Sequence, residues 1–387
     1  MIGGRDILNR LLPLKENFMK VAGKPYRTIW INDEGLLSVI NQVKLPHAFE
    51  VITLLDVDDV CRSISDMVVR GAGLIGATAG YGMWLAAKQA PSHNLASFNS
   101  YMQLQASRLH ATRPTASNLA WSIKRQLKQL GLGKTIPEKI DLIRAEAQAI
   151  ADEDAEFCRR IGLHGLDIIK RLADTKSGKV VNILTHCNAG WLAFVDYGTA
   201  LSPIFAAHDA GLQVHVWVDE TRPRNQGASL TAWELNSYGI PHSLIVDNAG
   251  GHLMQHGLVD IVLTGADRVT RNGDAANKIG TYLKALAARD NNVPFYVAFP
   301  SSTLDLSLDD GVTQIPIEER SGDEVRIVTG KLNDGSVASV QICPDTTPAR
   351  NWGFDVTPAR LITGLVCERG ICSATESGIL ELFPEQK

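Results

Sequence analysis

The second half of the chain alternates short apolar runs with helical stretches, and this alternation constrains the fold most. The runs are Val180–Leu184, Val214–Val218, Ser243–Val246, Ile261–Leu263 and Phe295–Ala298. Each ends in polar or turn residues: His186-Cys187-Asn188, Asp219-Glu220-Thr221, Asp247-Asn248, Gly265-Ala266-Asp267 and Pro300-Ser301-Ser302-Thr303. Runs that are apolar along their length, separated by helices, indicate a parallel sheet buried on both faces. The expected class is α/β, with a Rossmann-like doubly wound parallel sheet. Ligands of such sheets bind at the carboxyl ends of the strands. Cys187 and Asp267 both stand at such ends, where a thiol and a carboxylate form a candidate base–acid pair.

The first half reads differently. Tyr26–Trp30 and Leu36–Ile40 flank the turn-rich Asn32-Asp33-Glu34-Gly35, which predicts a hairpin, and Phe49–Leu55 reads as a further strand. From Asp56 the spacing becomes helical, with Val57, Val60, Ile64 and Val68 on one face. Further helices are expected over Thr78–Lys88, Ser117–Leu130 and Pro137–Cys158, the last with Pro137 in its first turn. The expected division is 1–145, a small β plus helical domain, and 146–387, a Rossmann-like catalytic domain. The polar segment Asp174–Lys179 is expected to join the helices to the strand region.

Composition narrows the function. The 387 residues, 45% hydrophobic and 21% charged, are those of an ordinary globular protein. A net charge of −4 without basic or acidic blocks argues against nucleic acid as a partner. No apolar run approaches the roughly 20 residues of a membrane span. Arg5, Asp6 and Arg10 interrupt any secretory pattern, so a cytoplasmic location is expected. Six scattered cysteines without a C-x-x-C pair fit free thiols, and the histidines lack metal-ligand spacing. No metal is expected.

Gly71-Ala72-Gly73-Leu74-Ile75-Gly76 matches the dinucleotide fingerprint G-x-G-x-x-G. A helical stretch precedes it instead of a strand, and no acidic residue follows about 20 positions on. Close helix packing through glycine is one alternative. The favoured reading is a phosphate cradle made by Arg70 and the amides of Gly71 and Ala72 at a helix start. Arg113 in Thr112-Arg113-Pro114-Thr115, taken alone, reads as a surface arginine. Arg222, Arg224 and Asp219 read equally as ligands or as a structural ion-pair network, and Gln226 as a sugar-hydroxyl partner. Asn277-Lys278 is expected in or near the first turn of a helix, where the lysine can hold a phosphate. A helix N-terminus after Cys187 would lower its thiol pKa. Asp267 needs a dry site, which would raise its pKa enough to make it a proton donor. If the strand continues through His186 and Cys187, they face opposite ways and form no dyad.

Taken together and in order, these motifs resemble the methylthioribose-1-phosphate isomerase family. That family shares its fold with regulatory subunits of the translation-initiation guanine-exchange factor. The resemblance runs from Gln42-Val43-Lys44-Leu45-Pro46 through Arg70-Gly71-Ala72, Thr112-Arg113-Pro114-Thr115, Thr185–Gly190, Asp219–Leu235 and Thr264–Tyr282. It continues to Ile315-Pro316-Ile317-Glu318-Glu319-Arg320 and Phe354-Asp355-Val356-Thr357-Pro358. It implies a helical N-terminal domain, a Rossmann-like C-terminal domain, a homodimer, a sugar-phosphate substrate and no cofactor. It puts Asp267 at the proton-donor position and Cys187 at that of the second catalytic group. Arg70, Gly71, Ala72, Arg113, Gln226, Asn277 and Lys278 fall at substrate-binding positions. The chain departs from the family pattern at Gly73-Leu74, where Pro-Ala is usual, and at Trp352-Gly353, where Pro-Ala is also usual. Two alternatives stay open: a related 1-phosphosugar such as 5-deoxyribose 1-phosphate as substrate, and a non-catalytic binding subunit.

Overall fold

The computed structural model describes residues 19–114 and 116–386. Arg5, Asp6, Arg10 and Thr115, named above, lie outside the described residues. After a short antiparallel pairing of Lys20–Val21 with Lys24–Pro25 comes a three-stranded antiparallel sheet of β1 (Ile29–Ile31), β2 (Leu37–Ile40) and β3 (Val51–Leu54). The expected turn joins β1 to β2. The Asn32 side chain accepts from the amides of Glu34 and Leu36, which closes the turn locally.

Five helices follow: α1 (Val57–Ser65), α2 (Ala72–Gln89), α3 (Leu95–Thr112), α4 (Ser117–Leu130) and α5 (Ile136–Thr175). Helix α2 is buried from Gly73 to Ala87 and forms the centre of this layer. Its small residues allow close approach: the Cα of Gly76 faces Asn118 and that of Gly82 faces Val60 and Leu109. The packing reading of the glycine run therefore holds for its later members, while Gly71 does something else (below). Helix α3 was not anticipated. Its core contacts come from Phe98, Met102, Ala106 and Leu109, one face of an otherwise polar run.

Helix α5 is 40 residues long and begins with a capping box between Thr135 and Glu138 and with Pro137 in its first turn. Its first half packs Ile143, Ala147 and Ala151 into the helical core. Its second half packs Ile161, Leu166 and Ile169 against the large sheet. The change of core thus falls inside one helix, which runs unbroken through position 145.

The large sheet is formed by β4 (Val181–Thr185), β5 (Val214–Asp219), β6 (His242–Ile245) and β7 (Ile261–Thr264), with three further strands to come. Between them lie α6 (Ser202–Asp209), α7 (Ala232–Tyr238) and α8 (Ala249–Gln255). A smaller sheet starts just beyond β7 with β8 (Arg268–Thr270) and β9 (Ala275–Lys278). After α9 (Thr281–Asp290) come β10 (Phe295–Ala298) and β11 (Leu304–Asp305). An exposed antiparallel hairpin, β12 (Ile327–Lys331) and β13 (Val337–Gln341), precedes β14 (Phe354–Thr357). The chain finishes with β15 (Gly364–Cys367), β16 (Gly370–Cys372) and α10 (Glu376–Leu382).

The large sheet runs in the order β16-β15-β10-β7-β4-β5-β6, and every neighbouring pair is parallel except β15–β16. All five expected strands are present, and β15 and β16 extend one edge. Successive strand residues feed opposite cores: Ile183 packs with α5, α6 and α7, and Leu184 with α8, α9 and α10. Both faces are covered, as in a doubly wound fold. From β4 the chain builds β5 and β6 to one side, then crosses to β7 on the other. The switch point lies between β4 and β7, the two strands that carry Cys187 and Asp267 at their ends. Among the described residues no helix is long and apolar enough to cross a membrane.

Candidate active site

One cavity of about 850 Å³, counting its open mouth, sits over this switch point. Cys187 and Asp267 line it from neighbouring strand ends. Arg70, Gly71 and Ala72 enter from the start of α2, and Arg113, Gln226 and Lys278 add polar groups beside Ser117, Asn118 and Arg268. Met67, Ile75, Ile315, Ile317 and Phe354 form an apolar wall.

Gly71 is the residue before α2, with φ +89°. A Cβ there would lie 2.5 Å from the Ala193 backbone, so both the conformation and the space demand glycine. The helix begins at Ala72, as the phosphate-cradle reading expects. The Arg70 guanidinium donates from Nη1 to Asn188 Oδ1 at 2.5 Å and from Nη2 to the Asn188 carbonyl at 3.0 Å.

Cys187 follows β4 with φ +67°, a left-handed conformation uncommon outside glycine. Its backbone is held on both sides. The amide donates to Thr221 Oγ1 at 2.8 Å, and the carbonyl accepts from Thr231 Oγ1 at 2.7 Å. The expected α-helix start after it is absent, since a single 3₁₀ turn, Trp191–Ala193, follows. Burial pushes the Cys187 thiol up, against the pull of Arg70 and Lys278. The expected lowering is therefore corrected: without a helix dipole, desolvation dominates.

The strand stops at Thr185, and the His186 ring turns away from the cavity. Its Nδ1 lies 2.8 Å from Asp219 Oδ2 and its Nε2 2.8 Å from the Ile279 carbonyl. No Cys–His dyad forms. His186, Asp219 and Asp247 cluster closely, and the Lys284 ammonium supplies the positive charge there. It lies 3.1 Å from Asp219 Oδ2 and donates to the Asp247 carbonyl. Arg222 donates to the Val325 carbonyl, and Arg224 pairs with Glu324 at 2.9 Å. Arg222, Arg224 and Asp219 thus belong to structural networks.

Asp267 is half-buried at the cavity wall, and its amide donates to the Ala276 carbonyl at 2.8 Å. Desolvation raises its carboxyl pKa against the opposing pull of Lys278, Arg70 and Arg113. Lys278 lies on β9, three residues ahead of α9, and its ammonium sits 4.7 Å from the centre of the Phe354 ring. Burial lowers its pKa. The expected helical setting is replaced by a strand because residues 275–278 pair with both β8 and β14. On a strand neighbours alternate, so Lys278 lines the cavity while Asn277 turns inward and donates to Thr281 Oγ1 at 3.1 Å.

Arg113 is half-buried, desolvation lowers its pKa, and its Nη2 stands 4.0 Å from Glu318. Arg113 Nε and Gln226 Oε1 are buried without a protein partner. Buried polar atoms are normally paired, so two orphans on one cavity wall mark a place for a ligand. Residue-by-residue reading missed Asn188 and Glu234, which support Arg70 from behind. Both stand within sequence motifs, but nothing in their spacing signals the contact.

Fold and site define a class: an α/β protein with an acid and a thiol lining one cavity at a sheet switch point, among several cations. The model of the "Initiation factor 2 subunit family" matches residues 68–374. The methylthioribose-1-phosphate isomerase of Brucella anthropi is 55% identical over 372 residues, 95% of this chain and 100% of that one. The crystal structure of 5-methylthioribose 1-phosphate isomerase from Pyrococcus horikoshii OT3 matches with a TM-score of 0.81 and 39% identity, over 94% of this chain and 97% of that chain. Subunit delta of the translation initiation factor eIF-2B from A. fulgidus matches with a TM-score of 0.76 and 35% identity, over 93% and 99%. The chain belongs to the initiation factor 2 subunit family, on its branch of methylthioribose-1-phosphate isomerases. It is an enzyme of the isomerase class.

Proposed function

We propose that the enzyme converts 5-methylthioribose 1-phosphate to 5-methylthioribulose 1-phosphate, an aldose–ketose isomerisation in methionine salvage. The observation that carries this reading is the meeting of Cys187, Asp267, Arg70 and Lys278 on one cavity at the switch point. Arg70 and Lys278, with the amides of Gly71 and Ala72, suit a phosphate dianion. Gln226 Oε1 and Arg113 Nε, buried without a protein partner, suit the sugar hydroxyls. The apolar wall suits a methylthio group.

The phosphate on C1 blocks the ordinary opening of a sugar ring to an aldehyde. The bond between C1 and the ring oxygen must break instead. Asp267, whose carboxyl pKa is raised by desolvation, gives its proton to that oxygen, which leaves with the bonding pair as a hydroxyl. C1 becomes an oxocarbenium-like centre. Hydrogen then passes from C2 to C1, and the C2 hydroxyl loses its proton to become the ketone while the Asp267 carboxylate regains one, so that no net proton is gained or lost. In one route Cys187 takes the C2 hydrogen as a proton and an enol phosphate is reprotonated at C1. In the other the hydrogen moves directly as hydride, with Cys187 shaping the site. Burial that pushes the Cys187 thiol up disfavours the thiolate that the proton route needs, which supports the hydride route.

The test is an isomerisation assay on 1-phosphorylated pentoses with a methylthio group, hydrogen or a hydroxyl group at C5, run in deuterated water. Fastest turnover of the methylthio sugar is expected, with little solvent deuterium at C1. Preference for the 5-deoxy sugar would replace the substrate, and no turnover of any sugar would overturn the reading. Substantial deuterium at C1 would restore the thiolate route.

A further inference from the structure

We infer that Glu234, acting through Asn188, is a positioning residue that aims Arg70 at the phosphate. This rests on the proposed role of Arg70 as phosphate ligand. Neither Glu234 nor Asn188 lines the cavity. Glu234 is fully buried, and both its oxygens accept. Oε1 takes hydrogens from Asn188 Nδ2 at 2.8 Å and from the Leu192 amide at 3.2 Å, and Oε2 from the Trp191 amide at 3.0 Å.

The consequence lies in the Asn188 amide, which has a donating end and an accepting end. Its nitrogen has a second acceptor, Thr231 Oγ1, at 3.2 Å. The single Thr231 hydroxyl hydrogen is already given to the Cys187 carbonyl, so that oxygen has only lone pairs to offer. Both hydrogens of the amide nitrogen are thereby fixed. The oxygen must face the other way, toward Arg70, where it accepts from Nη1. A reversed amide would put an NH₂ group against the guanidinium, donor on donor. Glu234 thus decides which end of Asn188 the arginine meets. The Asn188 carbonyl takes the second Arg70 nitrogen, so one residue holds the guanidinium at two points. Space is made for this arrangement at Gly190, where a Cβ would lie 2.0 Å from Glu234 Oε2. Thr231 also joins the relay to the Cys187 backbone, so the phosphate grip and the thiol share one support.

The experiment is a double-mutant cycle on KM for the 1-phosphorylated sugar, with titration of inorganic phosphate as a second readout. Asn188→Ala and Glu234→Gln should each raise KM by about tenfold or more, with a smaller fall in kcat. Glutamine keeps the size of Glu234 but places an NH₂ group among donors. On an Arg70→Ala background neither change should raise KM further, because the residue through which they act is gone. Effects that multiply with Arg70→Ala would overturn the inference and leave a structural anchor. Loss of folding by both variants would do the same, and if only one folds it carries the cycle. An unchanged KM and unchanged phosphate affinity in Arg70→Ala alone would instead overturn the phosphate reading itself.

Discussion

Asp267 and Cys187 receive the same treatment from the fold, and it serves them differently. Burial raises both. For a carboxyl that must donate a proton, a raised pKa is the requirement. For a thiol that must accept one, it is an obstacle. Asp267→Asn keeps the shape and removes the proton, so turnover should fall by about a hundredfold or more, read from steady-state kinetics. Retention of most activity would remove the acid role. Cys187→Ser should also impair turnover by about a hundredfold. Near-normal rates there would take the sulfur out of the chemistry. These two residues were legible in sequence because each closes an apolar run. The direction of the thiol shift was not legible, since it depends on whether the chain after Cys187 makes an α-helix or a single 3₁₀ turn.

At the scale of elements, the start of α2 carries the most specific demand. Gly71→Ala would place a methyl group against Ala193 at a left-handed φ. The cost should be about 2 kcal/mol or more of stability, read from denaturant unfolding, together with weaker phosphate binding. Wild-type stability would show that the loop relaxes freely and that its geometry is not enforced by Ala193. The β8–β9 hairpin shows why the setting of Lys278 escaped prediction. Ala275–Lys278 is a short buried run whose strand identity comes from pairing with β14, nearly eighty residues away in sequence. Local propensity carries no information about such a partner. The strand period then sends Asn277 and Lys278 to opposite sides, a separation that a helical setting would not have required.

Across the whole molecule, three buried carboxyls unconnected with bond-making set the response to pH. Asp154, Asp196 and Glu234 are each pushed up to about 7 by burial, from ordinary values of 3.8, 3.8 and 4.5. Between about pH 4 and 7 the folded chain therefore holds more protons at these sites than the unfolded chain. The stability they contribute is fully present below the unfolded values and is lost as pH rises through 7. His215, held below its usual range by burial, pulls the other way near pH 6. Tm should be higher at pH 6 than at pH 8, and Asp154→Asn should reduce the difference. A Tm that rises from pH 6 to pH 8 would sink this assignment.

The sequence by itself determined that the second half is a parallel α/β sheet and that a thiol and a carboxylate stand at its strand ends. Both follow from local rules: unbroken apolar runs need two covered faces, and turns follow strands. Tertiary structure alone decided that β4 and β7 are neighbours across the switch point, which brings Cys187 and Asp267 to one cavity. It alone decided that Asn188 turns its oxygen to Arg70, because Glu234 on α7 is brought against the Asn188–Leu192 loop and accepts three of its donors. Strand order and amide orientation are fixed by contacts between distant parts of the chain, and no stretch of sequence contains both sides of such a contact.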